Sequence, residues 1–480
     1  MDRIFILYRE SIPQLKRIVE RIKKRYPTIN TISAFDRPDL AKRFMRHFPV
    51  FVIKDNDRFL TKTITNAHNL DNLEKITLSA IEFVEEKSPL RFKVLDETLY
   101  WELVKNALFL FDPMHGGFFE EEIKTPRVDA LLSTLSIWVT EKEIRARKIV
   151  EDTVNIILNT PVFDRNLNLI NSGSFSLSWD IPTEEYLFED NALFVILLLN
   201  MAKSIPNKKY EEVAIKIFKS IKENFIIEDL TIPAIYKEKE RTRKVEKTNI
   251  GLVAVFISLC THIYRVSRDK NLIEKSSKLL NKIFKSSEYT KKELTLEDLA
   301  NTIEATLDLY TVTGDQSFVE KAKKLYSETE NLFLDKSNYL FNDTLDKSLP
   351  FRYAIKETSK LVKSLARIGT IEEKDIYKEK AKKLLLEIAK ISVDKGVEGL
   401  VATIPIILVL FGPIDIRITG SDEKLVETAI NFITPISTVS YRKGTENFVE
   451  VCFANKCFER AKTPELLRDQ LVSILISGLG

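Results

Sequence analysis

The chain has 480 residues, 44% of them hydrophobic and 30% charged, with a formal net charge of +3 at pH 7. That length can bury one large core and smaller modules besides, while the near balance of charge argues against nucleic acid as a partner. The longest apolar run, residues 400–411, is too short to span a bilayer and contains Pro405, so no membrane partner is expected either.

The first ten residues, MDRIFILYRE, hold four apolar residues between charges and do not read as a signal peptide, which gives the expectation of a cytoplasmic protein. Abundant Lys, Glu and Ile against three Gln is the bias of heat-adapted proteins. Residues 1–65 read as βαβαββ: a strand at Ile4–Tyr8, a helix at Pro13–Arg25, a strand at Thr31–Ala34 and a helix at Pro38–Arg46. Strands at Pro49–Ile53 and Arg58–Thr61 complete it, with a turn between them. An apolar strand entered through Phe48-Pro49 is the pattern of a thioredoxin-like domain, in which that proline is usually cis. No cysteine follows the first strand, where Arg9-Glu10-Ser11-Ile12-Pro13 stands. Thiol–disulfide exchange therefore has no nucleophile there, and a structural or docking domain is expected.

Leu70–Glu85 reads as a linking helix. Twelve helices follow, over 96–111, 127–140, 142–159, 185–203, 207–225, 249–267, 270–286, 296–313, 316–334, 355–369, 373–392 and 398–411. Helices joined by tight turns pack antiparallel, and six such hairpins can close into an (α/α)6 toroid. Closure would put the most apolar helices, such as Leu252–Ile263 and Ala192–Met201, inside, and Lys-rich ones such as Lys208–Lys222 and Tyr377–Lys390 outside. The best-delimited helix begins at Thr295, with Asp298 three residues on as a near capping box, and stops at Gly314. The run Tyr236–Lys247 has no apolar face and is expected to be a solvated loop.

Residues 412–480 change to a βαββα pattern. The fold class expected is thus a multidomain α+β chain, mostly α. It would comprise a thioredoxin-like domain at 1–90, an (α/α)6 barrel at 91–411 and a small α/β appendage at 412–480. Of the three cysteines, Cys260 sits in an apolar helix, while Cys452 and Cys457 can form a disulfide or stay reduced in a small core. Two thiols do not make a zinc site, so neither a metal nor a cofactor is expected.

Four stretches taken together carry a resemblance. They are Asp112-Pro113-Met114-His115-Gly116-Gly117-Phe118; Trp179-Asp180-Ile181-Pro182-Thr183-Glu184-Glu185 running on to Glu189-Asp190-Asn191; Leu296-Glu297-Asp298 with Leu307-Asp308-Leu309-Tyr310 and Thr313-Gly314-Asp315; and Cys452 to Cys457 with Pro464-Glu465-Leu466 after it. In this order, behind a thioredoxin-like start, the chain resembles the thioredoxin-domain proteins related to spermatogenesis-associated protein 20. The resemblance implies a thioredoxin-like domain followed by an (α/α)6 barrel similar to those of six-hairpin glycosidases and N-acylglucosamine 2-epimerases. The chain departs from the family in lacking its N-terminal cysteine motif. Loop elements that should face the barrel mouth are also reduced, at 171–175, at Thr183, at 249–251 and around Lys356–Ser359.

A toroid funnels its loops onto a central cavity, where carboxylates can act as general acid and base on a sugar. The candidates for catalysis are Glu185, Asp190, Glu297, Asp298 and His115, and those for ligand binding are Asp112, Trp179, Asn191 and Arg352, with Trp179 stacking on a sugar ring. Each has a structural alternative. Glu297 and Asp298 suit the first turn of a helix, Asp190 and Asn191 can hold a neighbouring loop, and His115 can be a strut in a glycine turn. Two functions stay open. One is a redox-inactive protein binding a sugar, another small polar ligand, or a protein partner through its first domain. The other is a carbohydrate-active enzyme of epimerase, isomerase or glycoside hydrolase type.

Overall fold

The computed structural model describes residues 2–8, 13–33, 50–56, 59–66, 73, 77, 95–119, 123–226, 232, 235–237, 242–244, 250–285, 294–336, 339–343, 345, 354–454 and 456–477. Two compact units result, one of residues 1–90 with 341–354 and one of 91–340 with 355–480. Arg352, Phe48-Pro49 and the helices expected at Pro38–Arg46 and across Leu70–Glu85 fall wholly or largely outside the described residues.

In the first unit, β1 (Asp2–Tyr8), α1 (Pro13–Arg25), β2 (Asn30–Ser33), β3 (Val50–Asn56) and β4 (Phe59–Asn66) form a mixed sheet in the order β2-β1-β3-β4. β1 runs parallel to β2, pairing Phe5 with Asn30, and antiparallel to β3, pairing Phe5 with Ile53. Leu15, Val19 and Ile22 recur along one face of α1 and close the core with Ile4, Ile6, Val50 and Val52.

The second unit holds twelve helices among its described residues before its C-terminal strands. They are α2 (Glu97–Phe109), α3 (Val128–Glu141), α4 (Ile144–Asn159), α5 (Phe188–Ser204), α6 (Lys208–Asn224), α7 (Ile250–Ser267), α8 (Lys270–Lys285), α9 (Leu296–Thr313), α10 (Gln316–Phe333), α11 (Ile355–Ile371), α12 (Asp375–Ser392) and α13 (Thr403–Leu410). A 3-10 stretch, Val393–Ala402, leads into α13. The helices α3, α5, α7, α9, α11 and α13 each touch the next, and α13 touches α3, so the inner ring closes as the sequence predicts. Sequence separates the two layers. α7 is buried nearly all round, from Ile250 to Cys260, and would be long and apolar enough to cross a membrane, but it is a core helix of the ring. The outer α8 buries only Ser276, Leu279, Leu280 and Ile283, a single helical stripe.

Thr295 and Asp298 form a complete capping box on α9, and Gly314, at φ 70°, returns its N–H to the Tyr310 carbonyl to end the helix. The run 236–247 is less loop-like than its charge suggests. Ile235–Lys237 and Thr242–Lys244 pair as a hairpin that adds to Tyr186–Leu187, because the backbone can form a ladder whatever its side chains carry.

The C-terminal strands β5 (Ile414–Thr419), β6 (Ser437–Arg442), β7 (Phe448–Phe453) and β8 (Lys456–Cys457) form a sheet in the order β6-β5-β7-β8, with α14 (Glu423–Asn431) and α15 (Pro464–Val472). Cys452 and Cys457 face each other across the β7–β8 turn and are disulfide-bonded. This sheet caps the end of the ring where the inner helices finish. The Tyr441 hydroxyl donates to the Thr311 carbonyl, its N–H to the Tyr310 hydroxyl, and the buried Arg265 donates to the Ile433 carbonyl.

Candidate functional site

The loops that enter the inner helices are long, and those that leave them are short. The ring therefore has a loop-rich mouth at the N-terminal ends of its inner helices and a floor at their C-terminal ends. At the mouth, Asp112 organises the glycine turn. Its Oδ1 accepts from the N–H groups of Met114 and His115, and its Oδ2 accepts from Lys124 Nζ at 2.6 Å and lies 3.2 Å from His115 Nδ1. Burial opposes ionisation of Asp112, but hydrogen bonds from Lys124 and those two amides, with the Lys124 charge, hold its carboxyl below the usual range. Trp179 is fully buried, donates Nε1–H to the His115 carbonyl, and has Lys124 Nζ 5.3 Å from its ring centre. Three predicted residues, Asp112, His115 and Trp179, are thus brought together around a fourth that the sequence reading passed over, the buried Lys124.

The other predicted residues take separate places. Asn191 uses its amide oxygen on the Ile170 N–H and its amide protons on the Ile170 and Leu187 carbonyls, which pins the loop before α5. Asp298 closes its own capping box through Oδ2 and caps α7 through Oδ1, which accepts the Gly251 N–H at 2.9 Å. Glu185, Asp190 and Glu297 are half-buried at this same end, the Glu185 carbonyl accepting the Ser172 N–H. None of these side chains is among the described lining of the cavity on the ring axis.

That cavity has a volume of about 110 Å³. Its polar lining comes from α7 (Ser258, Thr261, His262, Arg265), α9 (Asn301, Glu304, Asp308, Thr311) and α11 (Lys360, Lys363, Arg367), over a floor at 433–437. Several of these side chains form a ladder, which Lys356 and Glu189 extend beyond the cavity lining. Lys356 Nζ donates to Glu189 at 2.7 Å, Lys360 to Asn301 at 2.6 Å, Lys363 to Glu304 at 2.6 Å and Arg367 to Asp308 at 2.9 Å. The last three rungs each join residues 59 apart in sequence, so α9 and α11 keep one register over the cavity. From Lys356 to Arg367 the ladder spans roughly 16 Å at the α-helical rise.

Burial raises the cost of charge here, yet Lys363 and Lys360 outweigh it and keep the Glu304 carboxyl below its ordinary range. Burial, helped by the Arg265 charge, pushes the His262 imidazole down to about 4. Its Nδ1 lies 2.9 Å from the Ser258 carbonyl, which assigns the proton to Nδ1 and leaves Nε2 as acceptor. A sequence signal for the ladder exists. Lys356, Lys360, Lys363 and Arg367 recur at spacings of four, three and four on a helix whose opposite face carries Leu361, Leu365 and Ile368.

A larger cavity, about 570 Å³, lies outside the ring between α11, α12 and the C-terminal sheet, beside Cys452 and Cys457. Its Glu373 and Lys378 are about half exposed or more, so their charges are screened by solvent. Among the described residues no group of three metal-ligating side chains occurs.

No protein-family model matches the chain, and no curated protein matches it. Among solved structures it is similar to a sugar epimerase from a ruminal bacterium, at 14% identity and a TM-score of 0.51 over 60% of this chain and 85% of that one. It is also similar to the cellobiose 2-epimerase of Bacillus thermoamylovorans B4167, at 13% identity and a TM-score of 0.50 over 60% of this chain and 86% of that one. At that identity the likeness is one of fold, a six-hairpin (α/α)6 barrel.

Proposed function

We propose that the barrel binds a sugar in its axial cavity and moves protons on it, as an epimerase or isomerase does. The observation that carries this reading is a polar cavity on the axis of a ring whose fold is shared with two sugar epimerases. His262 supplies the base. It is neutral at pH 7, and with Nδ1–H held by the Ser258 carbonyl, Nε2 can take the proton from a carbon next to the carbonyl of an open-chain sugar. The electron pair left on carbon moves onto the carbonyl oxygen, where Lys363 or Arg367 would stabilise it. Return of the proton to the opposite face of that carbon gives an epimer; its delivery to the neighbouring carbon, with the hydroxyl proton passing from one enediol oxygen to the other so that the second becomes the new carbonyl, gives an isomer. A glycoside hydrolase fits less well. It needs one carboxyl kept protonated, and Glu304 is held ionised by Lys363 while Asp308 is clamped by Arg367 and Ser258.

The test is incubation of the full chain with mannose, glucose or cellobiose in deuterated water, with loss of the C2 proton followed by NMR. Exchange that His262→Asn abolishes is the expected result. Absence of both exchange and binding for all three sugars refutes the reading.

We further infer that residues 1–90 form a thioredoxin-like docking domain, in keeping with the family resemblance, ahead of a barrel at 91–411 and an appendage at 412–480 in a cytoplasmic protein. The mixed sheet with its parallel β1–β2 pair supports this, as does the position of all three cysteines after residue 90. Turnover in an insulin-reduction assay would refute the redox-inactive part.

A further inference from the structure

We infer that the ligand of the axial cavity carries an oxyanion, a phosphate or carboxylate borne on the sugar, seated among Lys360, Arg265 and Arg367. This rests on the sugar reading above and narrows it to an acidic sugar.

The argument is one of charge and of unmatched donors. Among the described residues the charged side chains lining the cavity are Lys360, Lys363, Arg265, Arg367, Glu304 and Asp308, which makes four cations against two carboxylates, with His262 neutral. Glu304 is matched by Lys363 and Asp308 by Arg367. Lys360 donates to the neutral amide oxygen of Asn301, and Glu189 lies 4.0 Å from it but already takes Lys356 at 2.7 Å. Arg265, 4% exposed, donates to the Ile433 carbonyl, and its Nε–H has no acceptor among the described residues. Arg367, 5% exposed, likewise leaves its Nε–H without one.

A buried guanidinium with no carboxylate of its own and an unused N–H is costly, and an oxyanion offers several acceptors and the missing negative charge together. Burial, joined by the Arg367 and Arg268 charges and only partly opposed by Asp308, pulls the Arg265 guanidinium down to about 10. A cavity of about 110 Å³ holds on the order of eight waters, room for an oxyanion and part of a pyranose.

Isothermal titration of the full chain with glucose, glucose 6-phosphate, glucuronate and inorganic phosphate separates the sources of the anion. We expect at least one acidic sugar to bind about tenfold more tightly than glucose or tighter still, with affinity falling as salt rises. Lys360→Gln, at a partly exposed position, should remove about tenfold of that preference while leaving the circular dichroism spectrum unchanged. Glucose binding as tightly as both acidic sugars overturns this inference and leaves the sugar reading standing. Tight inorganic phosphate with no gain from an attached sugar upholds the oxyanion seat and removes the sugar reading. Failure of every acidic probe to bind the wild-type chain overturns the inference without any appeal to a variant.

Discussion

The rung formed by Asp308 and Arg367 gives the sharpest test of the ladder. Asp308→Ala removes the acceptor of Arg367 Nη1 at 2.9 Å and of the Ser258 hydroxyl at 2.8 Å. The side chains are 14% and 6% exposed, so only water in the axial cavity can replace part of what is lost. Breaking a buried pair from one side costs about 3–5 kcal/mol, mostly the penalty of the stranded charge, and the Ser258 hydroxyl adds roughly 1 kcal/mol. The double replacement Asp308→Leu with Arg367→Met strands no ion and should cost less than either Asp308→Ala or Arg367→Ala alone. As a control, Lys382→Ala breaks an exposed pair with Glu379, 51% and 66% exposed, and should stay within about 0.5 kcal/mol of wild type. Chemical denaturation followed by circular dichroism at 222 nm measures all of these. An Asp308→Ala variant within about 1 kcal/mol of wild type, or a double variant no better than the sum of its singles, refutes the claim that the ladder is a coupled buried network.

His262 should make the barrel acid-sensitive. Its folded pKa, about 4, lies below its unfolded value near 6.5, so the unfolded chain takes up the proton first as pH falls. Stability is then lost between pH 6.5 and 4, by up to about 3 kcal/mol, and His262→Gln should flatten that part of the curve measured by denaturant titration. Glu304 acts lower, since its depressed pKa gives stability that is present above the ordinary Glu range and lost as pH falls through the folded value. At the mouth, Gly117→Ala would place a methyl 2.8 Å from the Trp179 ring at a φ of 75°, and should lower stability by about 2 kcal/mol and shift tryptophan fluorescence. Reduction of Cys452–Cys457 opens a short loop, with only five residues of sequence separation, so the melting temperature should fall by no more than about 2 kcal/mol of stability implies.

The ring was legible because each of its signals is local. The alternation of all-apolar and one-faced helices, the capping box at Thr295 and the stop at Gly314 each follow from a few neighbouring residues. The β7–β8 turn was legible as two close thiols, but only the register opposing Cys452 to Cys457 decides that they join. The mouth was half legible. Asp112, His115 and Trp179 stand in turn-like stretches that invite a functional reading, whereas the residue holding them together, Lys124, follows Ile123 and resembles a surface lysine until it is buried. The ladder was the hardest part to read. Its lysines repeat along α11 as a solvated stripe would, like those of the outer helices, and only closure of the ring turns that stripe inward. Acids in first turns, such as Glu297 and Asp298, draw attention at sequence level because they stand beside loops, yet Asp298 serves the backbone of two helices.

The same closure explains why charge in this core need not be a purely structural device. A ladder built only to fix register would end balanced, since each unmatched buried ion costs stability and adds no registration. Rungs at Lys363–Glu304 and Arg367–Asp308 already set α9 against α11. Lys360, opposite a neutral amide, and Arg265, opposite a backbone carbonyl, add buried charge that no carboxylate of their own matches. Cations kept under that penalty on the wall of a cavity are what an anionic ligand would relieve. The relief should also appear as stabilisation: a ligand present at a hundred times its dissociation constant raises unfolding free energy by about 2.7 kcal/mol. An acidic sugar should therefore raise the melting temperature of the wild-type barrel more than that of Lys360→Gln, and equal shifts in the two proteins would place the anion elsewhere.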